Sequence, residues 1–260
     1  MAGGAGTGAA GDDGAAHMRL RDFTMARVGL ERSGTALATR EVLEFQLAHA
    51  MARDAVHYSL DVGGLRAECE ERGWKTVAVH SQAADRQTYL RRPDLGRRLD
   101  EGSRQFLNGR AGTDRRDLAI AVVDGLSALA VHRHTRAVLD CLLPRFDEAG
   151  WTRAELVLVE QGRVAVGDEI GRSLCAGLAL VLIGERPGLS SPDSLGAYLT
   201  WNPEPGRTDA ERNCISNIRP EGLDYRAAAD RIFALANEAR RGKLTGVALK
   251  EDAARALADA

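Results

Sequence analysis

Leu-Ala-Leu-Val-Leu-Ile-Gly-Glu-Arg-Pro-Gly-Leu, at residues 178–189, joins an apolar run directly to a polar, charged loop. The apolar run from Leu178 to Ile183 is typical of a buried strand. It ends abruptly in the polar loop from Gly184 to Leu189, where Pro187 restricts Arg186 to extended geometry. Open α/β sheets bind ligands beyond the carboxyl ends of their strands, where loop backbone groups are left unpaired. A binding site is therefore first sought at this junction.

The rest of the sheet is predicted from similar short apolar runs. These runs are Leu118 to Val123 and Leu156 to Glu160, and a separate strand is expected from Thr76 to Val79 in the first third of the chain. Helix-like segments separate the later runs, and this alternation indicates a parallel sheet. The first segment, Leu126 to Ala149, contains Pro144, which is expected to kink or break the helix. The second, Val166 to Cys175, is a short crossover helix with Asp168 near its start.

The N-terminal part of the chain shows helical periodicity instead. From Thr35 to Leu60 the apolar residues recur at helical spacing and predict one long amphipathic helix. Gly63 and Gly64 interrupt this pattern, and a short helix from Leu65 to Arg72 is expected to follow them.

These patterns divide the chain into three parts. Residues 1–18 are mostly Gly and Ala, a composition that favours a flexible tail. Residues 19–110 are predicted to form a mainly helical region, and residues 111–260 are predicted to form an α/β region built on a parallel sheet.

Composition limits the classes of partner that the chain can have. Of the 260 residues 44% are hydrophobic, which is enough for a substantial core. The 35 Lys and Arg residues nearly balance the 37 Asp and Glu residues, so no nucleic acid or anionic membrane is indicated. No apolar stretch approaches the roughly 20 residues that span a bilayer. The 4 cysteines form no Cys-x-x-Cys pair and the 6 histidines no metal-binding pattern, so we expect a cytoplasmic protein without a metal site.

Sequence motifs of common enzyme classes are missing at the predicted strand ends. The chain has no Gly-x-x-x-x-Gly-Lys-Ser/Thr loop for nucleotide phosphates and no Gly-x-Ser-x-Gly turn for a nucleophilic serine. No predicted strand is followed by a Gly-x-Gly-x-x-Gly fingerprint. A nucleoside triphosphatase, a self-contained hydrolase and a nicotinamide-dependent oxidoreductase are therefore not expected.

Four polar segments could form a site, and each also has a purely structural interpretation. Asp124 to Ser127 is either a turn with a helix cap or a source of a carboxylate and a hydroxyl. Gln161 to Val164 is a simple connection or a source of backbone amides and an arginine, and Gly184 to Leu189 can hold a solvated Glu-Arg pair. Cys214, within Arg212 to Ile218, can be an ordinary buried cysteine. A functional role for Gln161 to Val164 gains support if this loop, the loop after Ile183 and the Cys214 segment converge, and we expect that they do.

The order of motifs along the chain resembles a known family. The motifs are Ala26-Arg27-Val28-Gly29, Tyr89-Leu90-x-Arg92-Pro93-Asp94-x-Gly96-Arg97-Arg98-Leu99, Asp124-Gly125-Leu126-Ser127, Gly162-Arg163-Val164, Gly184 to Leu189 and Cys214 to Ile218. From about Leu20 to the C-terminal region, the chain is similar to the small (light) subunit of ethanolamine ammonia-lyase. The resemblance implies a helical N-terminal part followed by a Rossmann-like α/β domain.

The resemblance also implies an activity, a cofactor and a partner. Members of this family act with adenosylcobalamin and convert ethanolamine to acetaldehyde and ammonia by a radical mechanism. The large subunit is a TIM barrel that carries the substrate site, and cobalamin lies between the two subunits in a higher hetero-oligomer. The small-subunit contacts to cobalamin correspond here to Val164, Glu185 and Cys214, and no catalytic residue is assigned to this chain.

Two further expectations concern location and an alternative function. The resemblance is compatible with a bacterial microcompartment, although the Gly/Ala-rich N-terminus lacks the amphipathic helix of a targeting segment. A noncatalytic small-molecule sensor or scaffold with a doubly wound α/β domain is the alternative function, because fold alone cannot separate the two.

Overall fold

The computed structural model describes residue 23, residues 26–110 and residues 115–249, so the predicted tail at residues 1–18 lies outside the described residues. The strands are β1 (Arg32–Ser33), β2 (Ala36–Leu37), β3 (Thr76–His80), β4 (Arg116–Val123), β5 (Leu156–Glu160), β6 (Ala176–Gly184), β7 (Leu195–Trp201) and β8 (Asn213–Ile218). The α-helices are α1 (Thr39–His57), α2 (Val62–Glu71), α3 (Arg86–Arg91), α4 (Glu101–Asn108), α5 (Ala128–Glu148), α6 (Val166–Ser173) and α7 (Tyr225–Gly242). Short 3-10 helices lie at Leu95–Arg97 and Asp209–Glu211.

Six of these strands form one sheet, in the order β3-β5-β4-β6-β7-β8. The first four in this order are mutually parallel, which confirms the parallel sheet predicted for β4, β5 and β6. Strand β3, predicted as a strand but not as part of this sheet, joins it beside β5. The sheet continues beyond them, because β7 pairs antiparallel with β6 and β8 antiparallel with β7. The loop at residues 185–194 contains no helix. Since a parallel return requires a longer crossover, β7 turns back beside β6, and the sheet is mostly rather than wholly parallel.

The sheet is covered by helices on both faces. Alternate residues of β4 point to opposite sides, so that Ile120 packs with α5 and α7, while Ala121 packs with α6. The connection from β4 to β5 runs through α5, and the connection from β5 to β6 runs through α6 on the other face. The chain therefore leaves the adjacent ends of β4 and β5 in opposite directions, and a crevice opens between them.

The predicted long helix is present as α1, but the other described residues leave most of its large apolar side chains exposed. Only Glu41 and Ala55 of α1 are buried. Leu43 and Leu47, one helical turn apart on the same side, are 58% and 63% exposed. The periodic pattern therefore predicted the helix correctly, although most of its large apolar side chains remain exposed among the described residues.

Two helix boundaries differ from the sequence prediction for local reasons. Helix α5 continues through Pro144, which lies on its exposed side, so the carbonyl that loses its donor faces solvent. Gly63 and Gly64 lie inside the first turn of α2, because the side chain of Asp61 accepts a hydrogen bond from the amide of Gly64 at 2.9 Å.

Gly125 brings the loop after β4 against the end of β6. Its φ of 58° is in the left-handed region. A Cβ at this position would overlap the carbonyl oxygen of Gly184 and the side chain of Ile183. Two strand ends are in backbone contact here, and only glycine fits.

Gly125→Ala and Gly150→Ala separate steric overlap from backbone strain. Both glycines have positive φ, 58° and 68°, but a Cβ on Gly150 would have no neighbour within 4 Å. We expect Gly150→Ala to lower the free energy of unfolding by about 1 kcal/mol. Gly125→Ala should lower it by about 3 kcal/mol or more, because overlap is added to strain. Equal losses in urea unfolding would contradict the close approach of the two strand ends.

Candidate functional site

A buried carboxylate joins the ends of β4 and β5. Asp124, which directly follows β4, accepts hydrogen bonds from the amide of Gln161 at 2.8 Å and from the amide of Gly162 at 3.0 Å. Nη1 of Arg86 lies 3.7 Å from the same carboxylate and donates to the carbonyl of Gly125 at 2.7 Å. The predicted helix cap in this turn is Ser127, whose hydroxyl accepts a hydrogen bond from the amide of Ala130 at 3.3 Å at the start of α5. Asp124 instead holds the loop after β5 against the end of β4.

Burial dominates the protonation of Asp124. It raises the pKa of this carboxyl to about 6, against the lowering effects of the Gln161 amide, the Arg86 charge and the Gly162 amide. The carboxylate of Asp124 thus joins the ends of β4 and β5, although its negative charge is poorly solvated.

The loop that follows β5 is held by the charged motif around Gly96. The amide of Arg163 donates to the carbonyl of Gly96 at 2.7 Å. Gly96 is buried, and a Cβ on it would lie 2.9 Å from Cγ of Arg163 and 3.0 Å from the carbonyl oxygen of Gln161. The ion pair of Arg92 with Asp94 in the same motif is exposed. The motif therefore supports the loop that carries Val164.

Glu185 binds strand β8 through its side chain. Its carboxylate accepts hydrogen bonds from the hydroxyl of Ser194 at 2.7 Å, from the hydroxyl of Ser216, and from the amide of Asn217 at 3.1 Å. Its own amide donates to the carbonyl of Ser194 at 2.9 Å. The half-buried carboxylate is therefore fixed in direction, unlike the neighbouring Arg186, which is exposed.

Cys214 is exposed on β8, so its interpretation as an ordinary buried cysteine is wrong. Its segment, which the sequence did not predict as a strand, pairs with β7 so that Cys214 faces Tyr198. Burial is the main cause that raises the pKa of the Tyr198 phenol, and the hydrogen bond with Cys214 raises it further. Cys214 and Tyr198 therefore act as one cross-strand pair.

One cavity of about 450 Å³ collects the polar loops. Its lining includes Tyr89, Leu126, Arg163, Val164, Ile183, Gly184, Glu185, Arg186, Tyr198 and Ser216. Val164 and Glu185 thus lie together, as the predicted convergence of loops requires. Cys214 does not line this cavity itself, but its partner Tyr198 and its near neighbour Ser216 do.

A buried ion pair connects the two sides of the site. Nη1 and Nη2 of Arg212 each donate to the carboxylate of Asp168 at 2.7 Å, and both side chains are 2% exposed. Arg212 also donates to the hydroxyl of Thr200 at 2.8 Å. Asp168 lies in the first turn of α6, but the residue before that helix is Ala165 and makes no side-chain cap. The role of Asp168 is therefore to tie α6 to the start of β8.

Sequence reasoning missed Tyr89 and Tyr198 as lining residues. Tyr198 lies on β7, whose apolar residues are interrupted by Gly196 and Thr200, and Tyr89 lies on α3, far from the other lining residues in sequence. The available indication was the resemblance motif that begins at Tyr89.

Within residues 26–110 and 115–249, no group of three His, Cys, Asp or Glu side chains is placed to hold a metal ion. In the same residues no helix is both long and apolar enough to cross a membrane.

Asp124→Asn tests the raised pKa of Asp124. The folded pKa of about 6 exceeds the unfolded value of about 3.9, so protonation stabilises the fold. This contribution is complete below the unfolded pKa and is lost as the pH rises through 6. Between about pH 7 and pH 4, wild type should therefore gain up to about 3 kcal/mol in urea unfolding relative to the nontitrating variant. A relative loss would mean that the hydrogen bonds from Gln161 and Gly162 outweigh burial.

Arg212→Met tests the buried ion pair. We expect it to lower the free energy of unfolding by about 3–5 kcal/mol, because the carboxylate of Asp168 is left buried without its partner. Arg92→Ala is the control, since its pair with Asp94 has the same 2.7 Å contact but exposed side chains, and stability should hardly change. Similar urea midpoints for the two variants would contradict a special role for Arg212.

Comparison with known proteins identifies a family that matches most of this chain. A family model described as ethanolamine ammonia-lyase light chain matches residues 15–250. Relatives named ethanolamine ammonia-lyase small subunit include one from Xanthomonas campestris pv. campestris, 54% identical over 92% of this chain and 89% of the relative. Those from Pseudomonas fluorescens and Pseudomonas aeruginosa are 54% and 57% identical, over 91% and 90% of this chain and 86% of each relative. The chain therefore belongs to the small-subunit family of ethanolamine ammonia-lyase.

Proposed function

We propose that this chain is the cofactor-binding small subunit of an adenosylcobalamin-dependent enzyme that converts ethanolamine to acetaldehyde and ammonia. A small subunit implies a large-subunit partner. The observation that carries the proposal is the cavity at the carboxyl edge of the sheet, where Val164 and Glu185 lie beside the Tyr198–Cys214 pair. The substrate site is assigned mainly to the large subunit.

The residues of the cavity fit the edge of a corrinoid. Such a molecule is larger than a cavity of about 450 Å³, so one edge would enter it and a second chain would cover the rest. The amide side chains around a corrin ring both donate and accept hydrogen bonds. Glu185 offers an acceptor and Arg163 offers donors, while Val164 gives an apolar contact.

The carboxylate of Glu185 has one acceptor position to spare. A carboxylate offers about four lone-pair sites. Oε2 of Glu185 accepts from Ser194 and Asn217, whereas Oε1 accepts from Ser216. Oε1 can therefore accept one further hydrogen bond, and we assign it to an amide of the cofactor.

The roles of the three assigned residues follow from these positions. Val164 packs against the cofactor, Glu185 accepts a hydrogen bond from its polar periphery, and Cys214 borders the site as a small soft residue beside Tyr198. Adenosylcobalamin, when bound, supplies the radical chemistry. The work of this chain is to bind the cofactor, orient it and exclude water.

Finer features of the fold and of the assembly belong to the same proposal. Helices on both faces and the crevice between β4 and β5 support a Rossmann-like arrangement. The division at residue 110 stays a prediction. Since β3 is hydrogen-bonded to β5, we expect the helical and α/β regions to unfold together. A cytoplasmic higher hetero-oligomer, free or within a microcompartment, completes the proposal.

Reconstitution with the large subunit tests the function. The complex should release acetaldehyde and ammonia from ethanolamine only when adenosylcobalamin is added, and it should show a corrinoid absorption spectrum after gel filtration. A well-folded complex with neither activity nor bound corrinoid would refute the assignment. Bound corrinoid without turnover would favour the noncatalytic sensor or scaffold.

Glu185→Ala tests the site. It should weaken binding of adenosylcobalamin by the complex about tenfold, as expected for loss of one hydrogen bond to a charged acceptor. Glu148→Ala is the control, because Glu148 is exposed at the end of α5, far from the cavity. Affinity is measured by absorbance titration and stability by thermal unfolding. An unchanged affinity in Glu185→Ala would remove Glu185 from the site.

A further inference from the structure

The hydroxyl of Tyr89 is a buried polar group without a partner. The side chain of Tyr89 is 0% exposed, and its Oη has no hydrogen-bond partner among the described residues. Buried polar groups in folded proteins are nearly always hydrogen-bonded, so such an exception requires an explanation. The hydroxyl contributes nothing to the fold of this chain that a phenylalanine would not.

The ring that carries this hydroxyl is held between two cations. The guanidinium carbon of Arg86 lies 4.7 Å from the ring centroid, and that of Arg163 lies 4.2 Å from it. Arg86 is itself fixed, since its Nε donates to the carbonyl of Val56 at 2.6 Å. The position of the ring is therefore set by contacts from several elements, and its hydroxyl has little freedom to seek another partner.

Unfilled donors are concentrated around Tyr89. Nη2 of Arg86 and Nε of Arg163 are also buried without partners among the described residues, as is one acceptor, Oε1 of Gln161. Arg163 makes no ion pair within the same part of the chain. The group therefore has an excess of donors and of positive charge, and it can bind an oxygen acceptor.

Tyr89 and Arg163 line the same cavity as Val164 and Glu185. Glu185 can accept a hydrogen bond from a ligand in this cavity, and Tyr89 and Arg163 can donate hydrogen bonds to the same ligand. A ligand with amides along its edge requires both kinds of contact. Shielding from bulk water strengthens each of these hydrogen bonds.

We infer that Tyr89 is a further cofactor-binding residue, whose hydroxyl donates a hydrogen bond to an oxygen acceptor of the corrinoid, with Nε of Arg163 as the second donor. The inference rests on the proposed function. The acceptor is an oxygen of a peripheral amide or of the nucleotide phosphate, which share this chemistry.

Tyr89→Phe in the complex with the large subunit is the test, with hydroxocobalamin as the probe. We expect about a tenfold loss of affinity, the effect of one hydrogen bond. The midpoint of thermal unfolding without corrinoid should be unchanged or higher, because the variant removes an unpartnered buried hydroxyl. Tyr225→Phe is the matched control. The Tyr225 hydroxyl has a partner, Nδ1 of His134 at 2.9 Å, so this variant should lower the midpoint and keep the affinity.

Two further measurements make the outcomes decisive. Dicyanocobinamide lacks the nucleotide phosphate, so a loss of affinity that persists with it identifies an amide, and a loss that disappears identifies the phosphate. The inference is overturned if Tyr89→Phe binds hydroxocobalamin as wild type does, or if its unfolding midpoint falls as far as that of Tyr225→Phe. A wild-type complex that binds no corrinoid would refute the proposed function itself, and the inference with it.

Discussion

The carboxylate of Asp124 is the constraint on which the site depends. It accepts the amides of Gln161 and Gly162 at the point where β4 and β5 send the chain to opposite faces of the sheet. These two amides lie at a sheet edge, where strand pairing no longer provides acceptors. Arg86 ties α3 and the end of α1 to the same point. The direction in which Arg163 and Val164 leave β5 follows from this contact.

The second half of the site is attached through another buried charge. β7 and β8 bring the partners of Glu185 to the cavity, and the pair of Arg212 with Asp168 ties the start of β8 to α6. Buried ion pairs contribute little to stability compared with apolar packing, but they accept only one geometry. Each half of the site is thus positioned by a buried charged group, Asp124 in one half and the pair of Arg212 with Asp168 in the other. Apolar side chains in these places would make the core more stable. Placement of the cavity walls, rather than stability, explains both.

How far the sequence could predict the fold depended on burial. Strands β4, β5 and β6 are covered on both faces, so each is an uninterrupted apolar run. Strand β8 alternates instead, with Asn213 and Ile215 buried and Cys214 and Ser216 exposed, and its polar residues hid it among loops. Helix α1 was predicted from the sequence, but what packs against it was not. Its periodicity identified the helix, but periodicity cannot say whether the apolar side meets this chain or another.

The site was predictable only where its residues follow strands. Val164 and Glu185 occupy loops whose position at the sheet edge follows from the fold, whereas the packing of Tyr89 against Arg163 joins residues 74 positions apart and has no local pattern. Sequence reasoning finds groups that satisfy local rules, whereas functional sites are expected where those rules fail. Here the unpartnered donors of Tyr89 and Arg163 and the spare acceptor position of Glu185 belong to residues that line one cavity. Buried donors without a partner are unfavourable, and a ligand edge rich in amides would satisfy both the donors and the acceptor.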